Sequence, residues 1–155
     1  AAVPLGGVLA RRYIHDAFMQ GPEHAIELFH GYTYSAHPLG VAAALATLDV
    51  YAGENLFARA RSLEPVWAKH MHGLRDAPHV EDIRTIGLAA GIDLAPIPGA
   101  PGKRGFEVMR TAFHTNNMMV RVSGDCIALS PPLIISEDEI AEMAVRFRAA
   151  LGSVS

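Results

Sequence analysis

Two side chains of the 155-residue sequence could bind an anion, judged by their residue type and by the sequence around them. Arg121 lies in the otherwise apolar run 118–122, MMVRV, which predicts a strand. Arginine is rarely buried without a partner, and its planar guanidinium can pair with a carboxylate through two hydrogen bonds. A second interpretation stays open, because strand alternation also allows Arg121 to point to solvent from an edge strand.

Thr33 is the second candidate, and it lies at a predicted turn into a helix, in the segment 31–38, GYTYSAHP. A hydroxyl and free backbone amides at the start of a helix can hold a phosphate group. Helix capping alone explains the same sequence and stays open, since capping motifs are far commoner than phosphate sites. Ser35 is predicted to cap this helix, and Pro38 suits its first turn.

The other chemically active residues predict no metal site and no nucleophile. His70 and His72 are two residues apart on a predicted helix, so their side chains face different directions, and the sequence has no His-Glu-x-x-His motif. Cys126 lies in an apolar strand without a basic neighbour and is predicted to be a small core residue. A single cysteine excludes a disulfide framework and a cysteine-built zinc site, and it favours a cytoplasmic location.

The elements that must position Arg121 and Thr33 fall into two predicted parts. Residues 1–53 are predicted to contain a helix over 8–19 and an alanine-, valine- and leucine-rich helix over 39–51. The second helix is apolar nearly all round, so we expect it to be buried on most sides. Residues 54–155 are predicted to form a compact α+β unit of helices and short antiparallel strands.

The pattern over residues 54–155 predicts three helices and four strands. The first helix spans 54–74, and Pro65 should kink it or make it restart, because proline lacks the amide donor. The last helix begins at a capping box of Ser136 and Glu139. A short helix is predicted over 106–114, and strands are predicted over 80–86, 88–95, 118–122 and 126–129.

Composition excludes several classes of protein. Half of the residues are hydrophobic, which excludes intrinsic disorder, and a net charge of −3 leaves no basic field for nucleic acid or an anionic membrane surface. The apolar runs are shorter than the roughly 20 residues that span a bilayer, and the first residues show no signal-peptide pattern. Only two of the 13 basic residues are lysines, Lys69 and Lys103.

Four separated segments together resemble one family, the class III aminotransferases, which are fold type I enzymes that use pyridoxal phosphate. Segment 31–38 resembles the cofactor-phosphate turn of the family, and 42–49, AAALATLD, resembles the buried helix behind it. Segment 82–88, DIRTIGL, is similar to the first strand pair of the small domain, and 119–134, MVRVSGDCIALSPPLI, to the C-terminal hairpin. The chain is most similar to the ω-amino acid:pyruvate (β-alanine:pyruvate) aminotransferase branch.

The resemblance implies a fold and a set of site residues. The fold is α/β, the PLP-dependent transferase fold type I, with residues 1–53 as the end of the large PLP-binding domain and 54–155 as the C-terminal α+β small domain. Thr33 and Tyr32 would bind the phosphate of pyridoxal 5′-phosphate in the active site of the neighbouring subunit. Arg121 would bind the substrate carboxylate and swing away for an amine that lacks one.

The sequence departs from the family pattern in two segments where glycine is common. Ala36 is expected to tighten the turn that follows Thr33. The pair Asn116-Asn117 precedes the strand that carries Arg121, and asparagine tolerates left-handed backbone geometry. Neither departure removes a chemical group from the implied site.

The resemblance also implies that the chain lacks the Schiff-base lysine, which is expected upstream of Ala1. Neither Lys69, on a predicted helix, nor Lys103, in a Pro/Gly loop, would replace it, so no catalytic residue is predicted and the isolated chain should be inactive. The implied partners are the remaining N-terminal part of the same enzyme, and a second subunit in a homodimer or homotetramer whose active site lies at the subunit interface. A small amine and a keto acid would be the substrates.

The implied activity is transamination between an ω-amino acid or amine and pyruvate. Two alternatives stay open on the sequence. The chain could belong to another class III aminotransferase, of the ornithine, 4-aminobutyrate or diamino acid type. It could also be a non-catalytic remnant or a dimerisation module.

Overall fold

The computed structural model describes residues 3–28 and 33–154. Contacts between Cα atoms divide the chain into two compact units, Ala1–Glu54 and Asn55–Ser155.

The first unit contains two helices, α1 (Arg12–Phe18) and α2 (Pro38–Gly53). Pro38 occupies the first turn of α2, as predicted, because its missing amide would have no partner there. The prediction that Ser35 caps α2 is wrong. With proline as the first helical residue the N-cap position falls on His37, and no side chain caps the helix.

The exposure of α2 contradicts the expected burial on most sides. Gly40 is its one buried residue, and an added Cβ there would contact the side chains of Leu5 and Val3. Leu39, Leu45 and Leu48 are each about 60% exposed or more. The other described residues of the first unit therefore leave much of this apolar helix exposed.

The second unit begins with α3 (Leu56–His72), which runs without interruption past Pro65. The helix therefore does not restart at Pro65, and the alternative of a kink there stays a prediction. Proline removes one hydrogen bond from the middle of the helix, but both Pro65 and Arg61, whose carbonyl loses its partner, are exposed to water. The buried side chains of Leu63 and Trp67 hold the turns on either side of Pro65 against the core.

Four strands form one antiparallel sheet in the order β1-β2-β4-β3. They are β1 (Val80–Ile86), β2 (Ala89–Leu94), β3 (Arg121–Ser123) and β4 (Cys126–Leu129). The predicted strand over 118–122 is shortened at its start. Met118 is only 7% exposed and its amide donates to the carbonyl of Ala112 at 2.9 Å, so this residue is tied to the preceding helix instead.

The last two helices are α4 (Lys103–His114) and α5 (Glu137–Gly152). Helix α4 begins three residues before its predicted start, because Asp125 accepts hydrogen bonds from the amides of Gly102, at 2.6 Å, and Gly105, at 3.0 Å. This cap comes from a distant turn, so the local sequence does not reveal it. The predicted capping box of Ser136 and Glu139 at the start of α5 is confirmed.

Helix α5 packs against α3 and α4, and the sheet is contacted by α3 at β1 and by α4 at β3 and β4. The core between them contains Trp67, Met71, Leu74, Ile92, Val108, Ile127, Ile140, Phe147 and Leu151, all at most 1% exposed. None of the helices in residues 3–28 and 33–154 has the length and hydrophobicity needed to cross a membrane.

Candidate functional site

Arg121 is the first residue of β3, one of the two edge strands of the sheet, and its side chain is exposed. Across the described residues, the Arg121 guanidinium makes no ion pair or hydrogen bond. An arginine without a partner on an edge strand is free to pair with an external carboxylate. The edge-strand setting of the alternative interpretation is therefore correct, and it leaves the guanidinium available to a ligand.

The strand register places Arg121 in one row across the sheet with Ala128, Gly91 and Arg84. The two residues between the arginines are small, so no bulky side chain separates Arg121 from the middle of this face. Arg84 at the far end of the row differs from Arg121, because acidic side chains already neutralise it.

Arg84 donates to Asp93 through both terminal nitrogens, with Nη2 2.9 Å from Oδ1, and Nη1 also donates to Asp82 at 2.8 Å. These hydrogen bonds lower the pKa of Asp93 to about 2, against an ordinary value of 3.8. The pair is therefore ionised at neutral pH. Arg84 is engaged within the protein, whereas Arg121 at the opposite end of the row is not.

Cys126 lies beside this ion pair, with Sγ 3.8 Å from Nη2 of Arg84. The prediction that Cys126 lacks a basic neighbour is wrong, because strand pairing brings Arg84 close from 42 residues away. Burial nevertheless raises the pKa of the Cys126 thiol, and the hydrogen bond with Asp93 raises it further. The thiol therefore stays protonated at neutral pH, which argues against a nucleophilic role.

The turn between β3 and β4 fixes Arg121 from its C-terminal side. Gly124 has φ of +59° in this turn, a conformation that favours glycine. Gly105 of α4 approaches the turn so closely that an added Cβ would lie 2.3 Å from the carbonyl oxygen of Gly124. The two hydrogen bonds to Asp125 complete this junction between the hairpin and α4.

A second set of hydrogen bonds holds the chain on the N-terminal side of Arg121, and the sequence did not predict it. Asn117 has φ of +50°, in keeping with the left-handed tolerance expected of asparagine. Arg146 of α5 donates from Nη1 to the carbonyls of Asn116 and Asn117, each at 3.1 Å. The four-residue spacing of Glu142 and Arg146 predicts an ion pair on one helix face, but it does not predict that Arg146 also donates to these two carbonyls.

Arg121 and Arg146 both line an open groove of about 860 Å³ between the β3 edge and α5. The groove is also lined by Met119, Ala128, Pro131 and Met143. Its wall thus combines apolar side chains with a small number of charged groups, the composition expected of a small-molecule site.

Thr33 lies in an exposed turn of the first unit, ahead of α2. No cap of α2 comes from a side chain, so helix capping by Thr33 is not observed. Ala36, in the same turn, has φ of +55°, a conformation in which glycine would be free of strain. Tyr32, the second predicted phosphate ligand, lies outside the described residues, and Thr33 and Arg121 belong to different units.

The histidines of the sequence are dispersed over both units. Nε2 of His72 lies 3.3 Å from the hydroxyl of Thr85, and Nε2 of His79 lies 2.9 Å from the carbonyl of Val154. Within residues 3–28 and 33–154, no group of three or more histidine, cysteine, aspartate or glutamate side chains is placed to hold a metal ion.

Comparison with known proteins identifies the family. The sequence profile of the family described as Aminotransferase class-III matches residues 2–151. The chain belongs to the class III aminotransferase family. The family predicted from the four segments is therefore confirmed.

Two curated members of the family are similar over nearly the whole chain. An omega-aminotransferase of Caulobacter vibrioides is 55% identical over 154 residues, which are 99% of this chain and 35% of that protein. A beta-alanine–pyruvate aminotransferase of Pseudomonas aeruginosa is 40% identical over 156 residues, again 99% of this chain and 35% of that protein. The chain thus spans about a third of the length of these class III aminotransferases.

Solved transaminase structures share the architecture. The omega transaminase from Pseudomonas jessenii in complex with PMP is 33% identical, with a TM-score of 0.73, over 81% of this chain and 29% of that one. The predicted fold class is confirmed, because this chain forms a mixed α/β part of the aminotransferase fold.

Proposed function

We propose that this chain provides the C-terminal part of an enzyme that transfers the amino group of an ω-amino acid or amine to pyruvate. The observation that carries the proposal is Arg121, an exposed guanidinium without an ion pair among the described residues, on the hairpin of a class III aminotransferase chain. In this proposal residues 1–53 belong to the large domain and 54–155 form the small domain.

Arg121 would bind the substrate carboxylate. A bidentate pair between guanidinium and carboxylate fixes the orientation of the bound acid as well as its charge. No acidic side chain of the described residues makes an ion pair with Arg121, so a carboxylate need not displace an existing partner. When the amine carries no carboxylate, the long side chain can retreat to water, and no buried charge is left unpaired.

Thr33 and Tyr32 would hold the phosphate of pyridoxal 5′-phosphate in the neighbouring subunit. Thr33 fits this role, because it is exposed and does not cap α2. It also precedes the N-terminus of this 16-residue helix, where a negatively charged phosphate is favoured. When bound, pyridoxal phosphate supplies the electron sink that transamination requires. Thr33 itself would contribute a hydroxyl and a backbone amide to the phosphate oxygens.

The Schiff-base lysine would come from a part of the enzyme outside this chain. Lys69 is exposed on α3, and Lys103 begins α4 and pairs with Glu107 at 3.8 Å. Both are therefore surface lysines of the second unit. On this proposal the 155-residue chain alone does not transaminate.

The enzyme would be a cytoplasmic homodimer or homotetramer with its active site at a subunit interface. The outward-facing apolar surface of α2 supports this assembly, because Leu39, Leu45 and Leu48 would lose contact with water only against other parts of the enzyme or a partner subunit. A small amine and a keto acid would be the only substrates, with no role for nucleic acid or membrane.

The activity is tested by incubating the full-length protein that contains this chain with β-alanine, pyruvate and pyridoxal phosphate. We expect alanine to form, and a panel of ornithine, 4-aminobutyrate and diamino acids separates this reaction from those of other class III enzymes. A higher rate with one of these donors would replace the proposed substrate. No transfer from any amine of the panel would refute the proposal and favour a non-catalytic role.

The role of Thr33 is tested by cofactor retention. Thr33→Ala in the full-length protein should lose pyridoxal phosphate faster during dialysis, because one hydroxyl contact to the phosphate is removed. Thr33→Ser is the matched control, since it keeps the hydroxyl. Equal retention by Thr33→Ala and the unmutated protein would contradict the assignment.

A further inference from the structure

Arg146, on α5, ties down the turn that leads into β3. Its Nη1 donates to the carbonyl oxygens of Asn116 and Asn117, each at 3.1 Å. Glu142, one helical turn earlier, accepts from Nε of Arg146 at 3.0 Å and from Nη2 at 2.5 Å. The Glu142 carboxylate therefore holds the guanidinium in the orientation in which it reaches both carbonyls.

Between this turn and Arg121, few interactions hold residues 118–120 in place. Met118 is anchored by burial and by its hydrogen bond to Ala112, but Met119 is 84% exposed. Strand pairing starts only at Arg121, on an edge strand of three residues whose sole sheet neighbour is β4. The two hydrogen bonds from Arg146 thus fix the backbone at the point where the chain turns into β3.

We propose that Arg146 is a positioning residue for Arg121. By fixing the turn at Asn116 and Asn117, it sets the place from which the Arg121 guanidinium reaches a substrate carboxylate in their common groove. A binding group displaced by about 1 Å can cost on the order of 100-fold in rate. The inference rests on the proposed function of Arg121, and the experiment below separates the two.

Arg148 offers a matched control for a purely structural role. It lies on the same helix and donates from Nη2 to the carbonyl of Gly73 at 2.5 Å and to Asp76 at 2.7 Å. It therefore ties α5 to the segment after α3, which does not lead to β3. If Arg146 only stabilised the unit, Arg146→Met and Arg148→Met would have similar consequences.

The two variants are compared in the full-length protein with β-alanine and with an amine that lacks a carboxylate. Arg146→Met should raise KM for β-alanine by about tenfold and change KM for the simple amine by less than about threefold. Arg148→Met should change both KM values by the same small factor. Arg146→Lys, which keeps a donor and the charge, should recover part of the affinity for β-alanine.

Hydrogen exchange gives a readout that does not depend on activity. The amides of residues 118–121 should exchange faster in Arg146→Met and at the normal rate in Arg148→Met, because only the first variant releases the turn. Unchanged exchange at residues 118–121, or equal losses for both amines, would overturn the positioning role. If Arg146→Met does not fold, Glu142→Gln decides the matter by the same comparison, since it weakens the orientation of Arg146 without removing it.

Arg121→Ala distinguishes failure of this inference from failure of the proposed function. If Arg121→Ala does not change the preference for β-alanine over the simple amine, the carboxylate role of Arg121 is refuted. If Arg121→Ala abolishes that preference but Arg146→Met leaves it intact, only the positioning role is refuted.

Discussion

Replacing Gly105 with alanine tests the packing that holds the β3–β4 hairpin against α4. The added Cβ would lie 2.3 Å from the carbonyl oxygen of Gly124 and 2.9 Å from Cγ2 of Val122, whereas ordinary contact begins at 3.4 Å. A backbone oxygen cannot turn aside, so helix and hairpin must separate by about 1 Å. Overpacking costs roughly 1–3 kcal/mol, and the hydrogen bond from Gly105 to Asp125 weakens too, so we expect a loss of about 3 kcal/mol.

Urea unfolding of the 155-residue chain measures this loss through the fluorescence of Trp67, its single, fully buried tryptophan. With an m-value of about 1.5 kcal/mol/M, the midpoint should fall by about 2 M. Gly152→Ala is the matched control, because nothing lies within 4 Å of its added Cβ and it lies at the end of a helix. A shift for Gly105→Ala of less than about 0.3 M would refute the close packing described here.

Two further predictions concern backbone strain and acid stability. Ala36→Gly should stabilise the first unit by about 1 kcal/mol, because Ala36 has φ of +55° and glycine adopts this conformation without strain. Limited proteolysis within residues 33–54 should therefore be slower in the variant. Faster cleavage would count against strain at this turn. The lowered pKa of Asp93, about 2 against 3.8, means that its stabilisation is complete above about pH 4 and is lost as pH falls toward 2. Asp93→Asn should therefore flatten the dependence of unfolding free energy on pH between 4 and 2, and an unchanged slope would contradict the ion pair.

Elements with a strong local pattern could be predicted from the sequence. Strand β1 has the predicted bounds, and the capping box of Ser136 and Glu139 starts the last helix as expected. Ile140, Phe147 and Leu151 recur at helical spacing and are buried on one face of α5. In each case the pattern that reveals the element lies within the element or directly beside it.

Features that depend on distant contacts could not be predicted. Asp125 caps α4 from more than 20 residues away, and strand register brings Arg84 to Cys126. Met118 leaves the predicted strand because it is bound to α4 instead. At the candidate site, Arg121 could be predicted because it is a charged residue in an apolar strand. The hydrogen bond from Arg146 to the carbonyl of Asn117 could not, because it depends on where α5 packs against this turn.

The role of Arg121 is tested most directly by Arg121→Ala in the full-length protein. The measurement is the ratio of kcat/KM for β-alanine to kcat/KM for an amine without a carboxylate, each taken in its own half-reaction. Loss of a charge-assisted bidentate pair should cost about 2–4 kcal/mol, which lowers kcat/KM for β-alanine by roughly 30- to 1,000-fold. The simple amine should be nearly unaffected, and an equal loss for both substrates would contradict a carboxylate-binding Arg121.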